Sequence, residues 1–392
     1  MINKLIYVTS VPIDGKTGQN SFERQFIDEL SKAKNQDFHY KVFCASENHM
    51  PSEENVNFIK IKKNYLGFIV FQIKLFFSLL RETKRRKNIK YVMFIRYHPS
   101  MFVPYLISKI TPVELVIRTG PILPNLKVYN KNPNPISYFL IKLFVNLHYK
   151  TAKNIITVTD KIKQWVIEES GISSANIKII PNGVDTKLFK KRPSTRKELG
   201  LPEHQTLGCF FGNIYEDQGL DIVIEALGHL KKMSSNNQVL EIPKIVIIGG
   251  GESVDYLKTL AQELGVSEYL IWIGAIKQSQ IPEILSVVDF TLATFKNRAF
   301  ATTGSAAIKL VESLAMDLPI IASRGSGHEF IEEEDFGVTV EPENVEALAN
   351  VLIDPKYTNK KLGGRGRNYV KEYRSEHKMV SDILTVCFEE KL

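Results

Sequence analysis

The chain has 392 residues, 44% hydrophobic and 24% charged, a composition that excludes a disordered or fibrous chain and allows two or three cores. Its net charge of +8 is unevenly spread, with +15 on residues 1–190 and −7 on residues 191–392. A basic first half suits nucleic acid, anionic lipid or a phosphorylated substrate; no aromatic-basic platform or helix-turn-helix signal accompanies it, which ranks nucleic acid last.

The first predicted element, Lys4–Ser10, is a buried strand, too short for a signal-peptide core and without a cleavage pattern. Further strands are expected at Tyr40–Cys44, Tyr91–Ile95, Glu114–Arg118 and Asn154–Thr159. In the second half they are expected at Thr206–Gly212, Lys244–Ile248, Leu270–Ile273, Phe290–Ala293, Pro319–Ala322 and Gly337–Val340. Stretches of helical period lie between them, among them Phe22–Lys32, Leu220–Lys231, Val254–Leu264, Ile281–Ser286, Ile308–Met316 and Val345–Ile353. Strands alternating with helices define βαβ units and parallel sheets, here two doubly wound halves. Pro181 and Asn182-Gly183, ahead of the basic linker Lys190–Glu198, punctuate the boundary. The expected division is a domain over 1–180, a second over 181–355, and terminal helices over 356–392 that pack back toward the first. In such an architecture ligands bind at the carboxyl ends of the strands, in the cleft between halves. Cys44, Cys209 and Cys387 are far apart with no CxxC pair, so neither a disulfide framework nor a zinc-finger spacing exists and a reducing compartment is expected.

Two amphipathic stretches stand out in the basic half. Tyr65 to Lys90 joins a broad apolar face to Lys74, Arg81, Arg85, Arg86 and Lys87, and Ile136–Tyr149 is apolar and weakly basic. Either both cover the N-terminal sheet, or they lie on an anionic membrane surface. No run of about 18 uncharged apolar residues suggests a membrane span.

The chemistry concentrates in Gly304-Ser-Ala-Ala-Ile-Lys-Leu-Val-Glu. The small residues Gly304, Ser305, Ala306 and Ala307 open a helix, whose free N–H groups and partial positive charge suit a diphosphate. Glu312, two turns in, is placed to accept ribose hydroxyls. Lys309, Arg298 and Lys277 are the nearby cations. No histidine cluster or DxD-type acidic pair offers a metal site.

These residues, with several other blocks in order, resemble the retaining nucleotide-sugar glycosyltransferases of the family-four type (group 1) with the GT-B fold. The blocks are Ile180-Pro-Asn-Gly-Val-Asp, Phe211-Gly-Asn-Ile-Tyr-Glu-Asp-Gln-Gly, Ile247-Ile-Gly-Gly-Gly-Glu, Trp272-Ile-Gly-Ala-Ile and Leu310-Val-Glu-Ser-Leu-Ala-Met. The resemblance implies two Rossmann-like domains facing each other across a cleft, and metal-independent transfer from a nucleotide sugar, UDP-linked by expectation, that serves as substrate rather than cofactor. It implies donor contacts at Gly212, Asn213, Gln218, Gly250, Ile273 and Gly274, with Glu312 on the ribose. Of the family's two glutamates eight positions apart, the second is Glu312 and the first falls on Gly304. The arginine and lysine that the family uses against the diphosphate are replaced by Asn213 and Gln218, which turns attention to Lys309. In the first half, Gly18 resembles the family's cleft-facing glycine, and Arg118 and His98, at strand ends, are candidates for the sugar or an acceptor phosphate. The expected activity is elongation of a lipid-linked, cell-surface polysaccharide or glycan in the cytoplasm, peripheral to the membrane. The alternatives are a catalytically silent GT-B subunit supporting a partner transferase, and a nucleotide-sugar epimerase.

Overall fold

A computed structural model describes residues 2–11, 18–32, 38–46, 54–60, 65–84, 88–98, 101–120, 134–235, 241–303 and 307–389. The chain divides into two compact units, one of Met1–Pro181 with Glu376–Leu392, the other of Asn182–Ser375.

The first unit is a parallel sheet of seven strands: β1 (Ile2–Thr9), β2 (Phe38–Ser46), β3 (Val56–Lys60), β4 (Ile89–Arg96), β5 (Glu114–Arg118), β6 (Asn154–Thr157) and β7 (Ile177–Ile179). Their order is β3-β2-β1-β4-β5-β6-β7. The second unit repeats the scheme with six parallel strands, β8 (Leu207–Phe211), β9 (Lys244–Ile248), β10 (Leu270–Gly274), β11 (Phe290–Ala293), β12 (Ile320–Ser323) and β13 (Gly337–Val340), ordered β10-β9-β8-β11-β12-β13. In each unit the first strand is central and the chain winds outward both ways, the doubly wound order with its switch point beside the first strand. Central strands covered on both faces must be apolar throughout, and Leu-Gly-Cys-Phe-Phe of β8 is buried at every position.

Two strands escape the sequence pattern. β3 and β7 are short edge strands with one or two buried residues each, and partly exposed edges carry little apolar signal. The helix Val103–Ile110, with Pro104 in its first turn, is also new. Capping places helix starts well: the Thr159 hydroxyl accepts from the Ile162 N–H at 3.3 Å and Asn344 from Ala347 at 2.9 Å.

The terminal region departs from the expected boundary at 356. The helices Pro355–Thr358 and Arg365–Tyr369 stay with the second unit, and the chain joins the first only at Glu376. Arg367 explains this: its guanidinium donates to the carbonyls of Phe189 and Ala315 at 2.7 Å and of Thr186 at 2.8 Å. Asp317 accepts from the N–H groups of Gly364 at 2.6 Å and Gly366 at 3.1 Å. After a single π-helical stretch, Val370–Arg374, the helix Glu376–Phe388 packs Val380, Ile383 and Phe388 into the core shared with Phe26 and Phe38.

Candidate functional site

The richest chemistry of the second unit lies at its switch point, where β8 and β11 are neighbours whose connections leave in opposite senses. β8 runs into Gly212, at φ +123°. A Cβ on Gly249 (φ +141°) would sit 1.8 Å from the Gly212 carbonyl oxygen, and one on Gly251 2.1 Å from that of Ile214. Only glycine permits this approach. The Gly249 N–H donates to the Gly274 carbonyl at 2.9 Å, and that of Ile214 to the Gly250 carbonyl at 3.0 Å. The expected blocks around Gly212, Gly250 and Ile273-Gly274 therefore meet at one end of the sheet. Asn213 is exposed there.

The helix Ile308–Ala315 follows Ala307, its extended N-cap, and buries every residue from Lys309 to Ala315. Gly304, Ser305 and Ala306 lie outside the described residues. The Lys309 ammonium donates to Gln218 Oε1 at 2.9 Å and sits 4.3 Å from the centre of the Phe210 ring and 5.1 Å from that of Phe295. It lies 3.6 Å from where a Gly212 Cβ would be. Burial pulls its pKa from 10.5 down to about 7, against the opposing pull of Glu312 and Cys209. Glu312, almost a turn further on, accepts from Gln278 Nε2 at 3.3 Å. Burial pushes its carboxyl up to about 7, although the Gln278 hydrogen bond and Lys309 act the other way. An acid and a base almost one turn apart, both desolvated and both shifted toward neutrality, make this the candidate ligand site of the second unit.

The other two candidate cations adjoin the loop residues that hold Lys309 and Glu312. Arg298 Nε donates to Asp217 at 2.7 Å and Nη2 to Glu216 at 3.1 Å, and Lys277 is exposed at the turn before Gln278. Glu329 closes its own turn, accepting from the Gly327 N–H at 2.7 Å. Gln278, Phe210 and Phe295 escape the sequence reading. The two rings read as core, since an aromatic beside a strand end carries no charge signal; Gln278, a polar residue four positions beyond Gly274, is the one that spacing from the Trp272 block would have found.

In the first unit, the loop 12–17 lies outside the described residues and Gly18 is the first residue of the helix Gly18–Lys32. Arg118, at the carboxyl end of β5, is buried with its guanidinium 4.2 Å from the centre of the Phe22 ring. Burial and the neighbouring Arg96 lower its pKa to about 9. Arg96 pairs in register with Arg118 and donates to the buried Glu23 at 2.8 Å; Glu23 also accepts from the Tyr7 hydroxyl. His98, just past β4, is exposed, and its pKa is lowered by desolvation. Arg118, His98 and Gly18 thus belong to the first unit, and Glu312 and Lys309 to the second. Among the described residues, one carboxylate trio is close enough to share a cation, Asp28, Glu29 and Glu376; Lys32 and His377 already bond to it.

Comparison with known proteins identifies the class to which these two doubly wound units belong. The model described as Glycosyltransferase Family 4 matches residues 18–188, and Glycosyl transferases group 1 matches residues 191–362. The chain belongs to the group 1, family-four glycosyltransferases with the GT-B fold. The GDP-mannose-dependent alpha-(1-6)-phosphatidylinositol monomannoside mannosyltransferase of Mycobacterium tuberculosis is 26% identical over 207 residues, 50% of this chain and 52% of that one. This match spans about half the length of that relative. An uncharacterized glycosyltransferase of Methanocaldococcus jannaschii is 20% identical over 91% of this chain and 92% of its own. Among solved structures, Anabaena HepE in complex with UDP superposes with a TM-score of 0.72 at 17% identity, covering 99% of this chain and 100% of that one.

Proposed function

We propose that this chain is a retaining glycosyltransferase that moves a hexosyl group from a UDP-sugar, without a metal ion, to a growing lipid-linked glycan of the cell surface. The observation that carries the proposal is the desolvated Lys309–Glu312 pair beside the glycine turn at Gly212. Transfer breaks the bond between the anomeric carbon and the diphosphate oxygen and joins that carbon to an acceptor hydroxyl oxygen, whose proton passes to the leaving diphosphate, on which negative charge gathers. An ammonium already stripped of water by Phe210 and Phe295 opposes that charge with little screening. Glu312, ionised, accepts the ribose hydroxyls, with Gln278 orienting its carboxylate. Glycine at 212, with only the Lys309 side chain near the place of its Cβ, leaves bare backbone for a phosphate to lie against, as does the helix start at Ala307. In the first unit, Arg118 and His98 are assigned to the acceptor. Retention is part of the proposal, taken from the resemblance to the retaining family, and the cytoplasm suits three buried free cysteines.

Asn213, Gln218 and Gly304 favour a second reading, a catalytically silent subunit. One experiment separates the two, namely thermal unfolding with UDP, GDP, ADP, CMP and dTDP and their common sugar conjugates, beside Glu312→Ala. A ligand at about 100 times its dissociation constant adds about 2.7 kcal/mol. A shift with UDP that vanishes in Glu312→Ala supports the enzyme; a shift with GDP alone moves the donor toward that of the mycobacterial relative. No shift with any nucleotide overturns the assignment in favour of the silent subunit, and turnover of free donor without acceptor would identify an epimerase.

A further inference from the structure

The two amphipathic stretches were expected either to cover the sheet or to lie on a membrane; both cover the sheet, and both also leave apolar side chains exposed on their outer side. The helix Tyr65–Glu82 buries Phe71, Leu75 and Leu79, while Leu66, Ile73 and Phe77 on its other side are 51% to 69% exposed. The helix Pro135–Thr151 buries Val145 and Tyr149 and exposes Ile136 and Phe139 at 70% and 64%. The helix Val103–Ile110 touches both of these, burying Val103 and Ile107 and exposing Leu106 and Ile110. The buried stripes of all three enter one core cluster, so the helices cover the same face of the first sheet. Every large exposed aliphatic or phenylalanine side chain among the described residues belongs to this three-helix layer or its immediate cap, Phe102; the second unit exposes only tyrosines of comparable size. An apolar surface so concentrated marks an interaction face.

Its charge identifies the occupant. The layer carries Lys74, Arg81, Lys109, Lys142 and Lys150, and its sole acidic residue, Glu82, is ion-paired with Lys4. A second copy of the chain packed there symmetrically would set lysines against lysines, and protein interfaces are depleted in lysine. Exposed apolar side chains on helices that also carry long basic ones match a lipid surface with anionic headgroups. No described helix is long and apolar enough to cross a membrane. We propose that this face is a docking surface on which the protein lies on an anionic bilayer, the three helices inserting their apolar side chains to the headgroup and acyl boundary.

The inference stands apart from the donor site, so its test needs no nucleotide. The full chain is sedimented with vesicles of phosphatidylglycerol and phosphatidylcholine, and with phosphatidylcholine alone, at low and high salt. Binding is expected with the anionic vesicles and weakened by salt. The double variant Lys109→Glu, Lys142→Glu should bind at least about 25-fold more weakly, at about fivefold per lysine. The variant Ile73→Ser, Phe77→Ser, Phe139→Ser should lose binding; all three side chains are exposed, and an unchanged circular dichroism spectrum and urea midpoint verify its fold. Absence of binding to anionic vesicles, or equal binding by these variants, overturns the proposal. So does a concentration-dependent dimer in sedimentation velocity that the serine variant abolishes, which would assign the face to self-association.

Discussion

The most exposed consequence of the site is that Lys309 should weaken the unliganded fold. Its pKa falls from 10.5 to about 7 on folding, which corresponds to about 5 kcal/mol of penalty on the buried ammonium. Between those two values the unfolded chain holds a proton that the folded chain has lost, so stability rises with pH across that window, and the penalty is complete below it. Lys309→Met keeps the stem and removes the charge. At pH 6 the gain is offset by the lost Gln218 hydrogen bond and the two ring contacts, together about 2 kcal/mol, leaving about 3 kcal/mol. For a unit of this size that is a rise of roughly 6–12 °C in Tm. At pH 10 the penalty has shrunk to about 1 kcal/mol and the gain should vanish. Urea unfolding at the two pH values measures this, and thermal unfolding with UDP should show that the stabilised variant no longer responds to nucleotide. A variant less stable than the parent at pH 6, or one equally stabilised at both pH values, would refute the buried-charge argument.

Two further outcomes follow from the same geometry. Donor binding calls for Lys309 protonated and Glu312 ionised, and both titrate at about 7 in the unliganded chain; UDP affinity measured by isothermal titration from pH 5.5 to 8.5 should be bell-shaped about neutrality, and a flat profile would remove both groups from the site. Gly249→Ala should cost about 4 kcal/mol or more, because its Cβ would enter the Gly212 carbonyl, whereas Gly274→Ala, at φ +80° with open space around it, should cost about 1 kcal/mol; equal urea midpoints for the two would contradict the close approach of β8 and β9.

How much of this was legible before the structure depends on what each residue advertises. The central strands are continuous apolar runs, and β8, β9, β11 and β12 appear where Thr206–Gly212, Lys244–Ile248, Phe290–Ala293 and Pro319–Ala322 were expected, because burial on both faces leaves no other composition. The edge strands β3 and β7 lack that signal. The boundary near Pro181 was marked by Pro and Asn-Gly, but the return at Glu376 was not, since it is set by Arg367 reaching three carbonyls distant in sequence. Glu312 and Lys309 were legible as a charged pair on one helix. Their environment was not, because Phe210, Phe295 and Gln278 acquire their roles only when β8, β11 and the turn after β10 converge.

On the proposed function, the replaced family positions amount to a relocation of charge. A cation at the exposed position 213 would stand in water and keep its ordinary pKa. Here the two replaced positions hold neutral residues, and one of them, Gln218, accepts a hydrogen bond from the Lys309 ammonium at 2.9 Å, while the helix behind carries the charge. The cation reaches the glycine turn from inside the fold, 3.6 Å from the place of a Gly212 side chain. Gln218 thus sets the position of the charge without adding to it. The arrangement costs stability while the site is empty, and a diphosphate that restores the proton to Lys309 recovers part of that cost on binding. Binding should therefore take up a proton above pH 7, visible as a dependence of the titration enthalpy on the ionisation enthalpy of the buffer. A loop cation with an unshifted pKa would show none, so a buffer-independent enthalpy at pH 8 would place the charge that meets the donor somewhere other than Lys309.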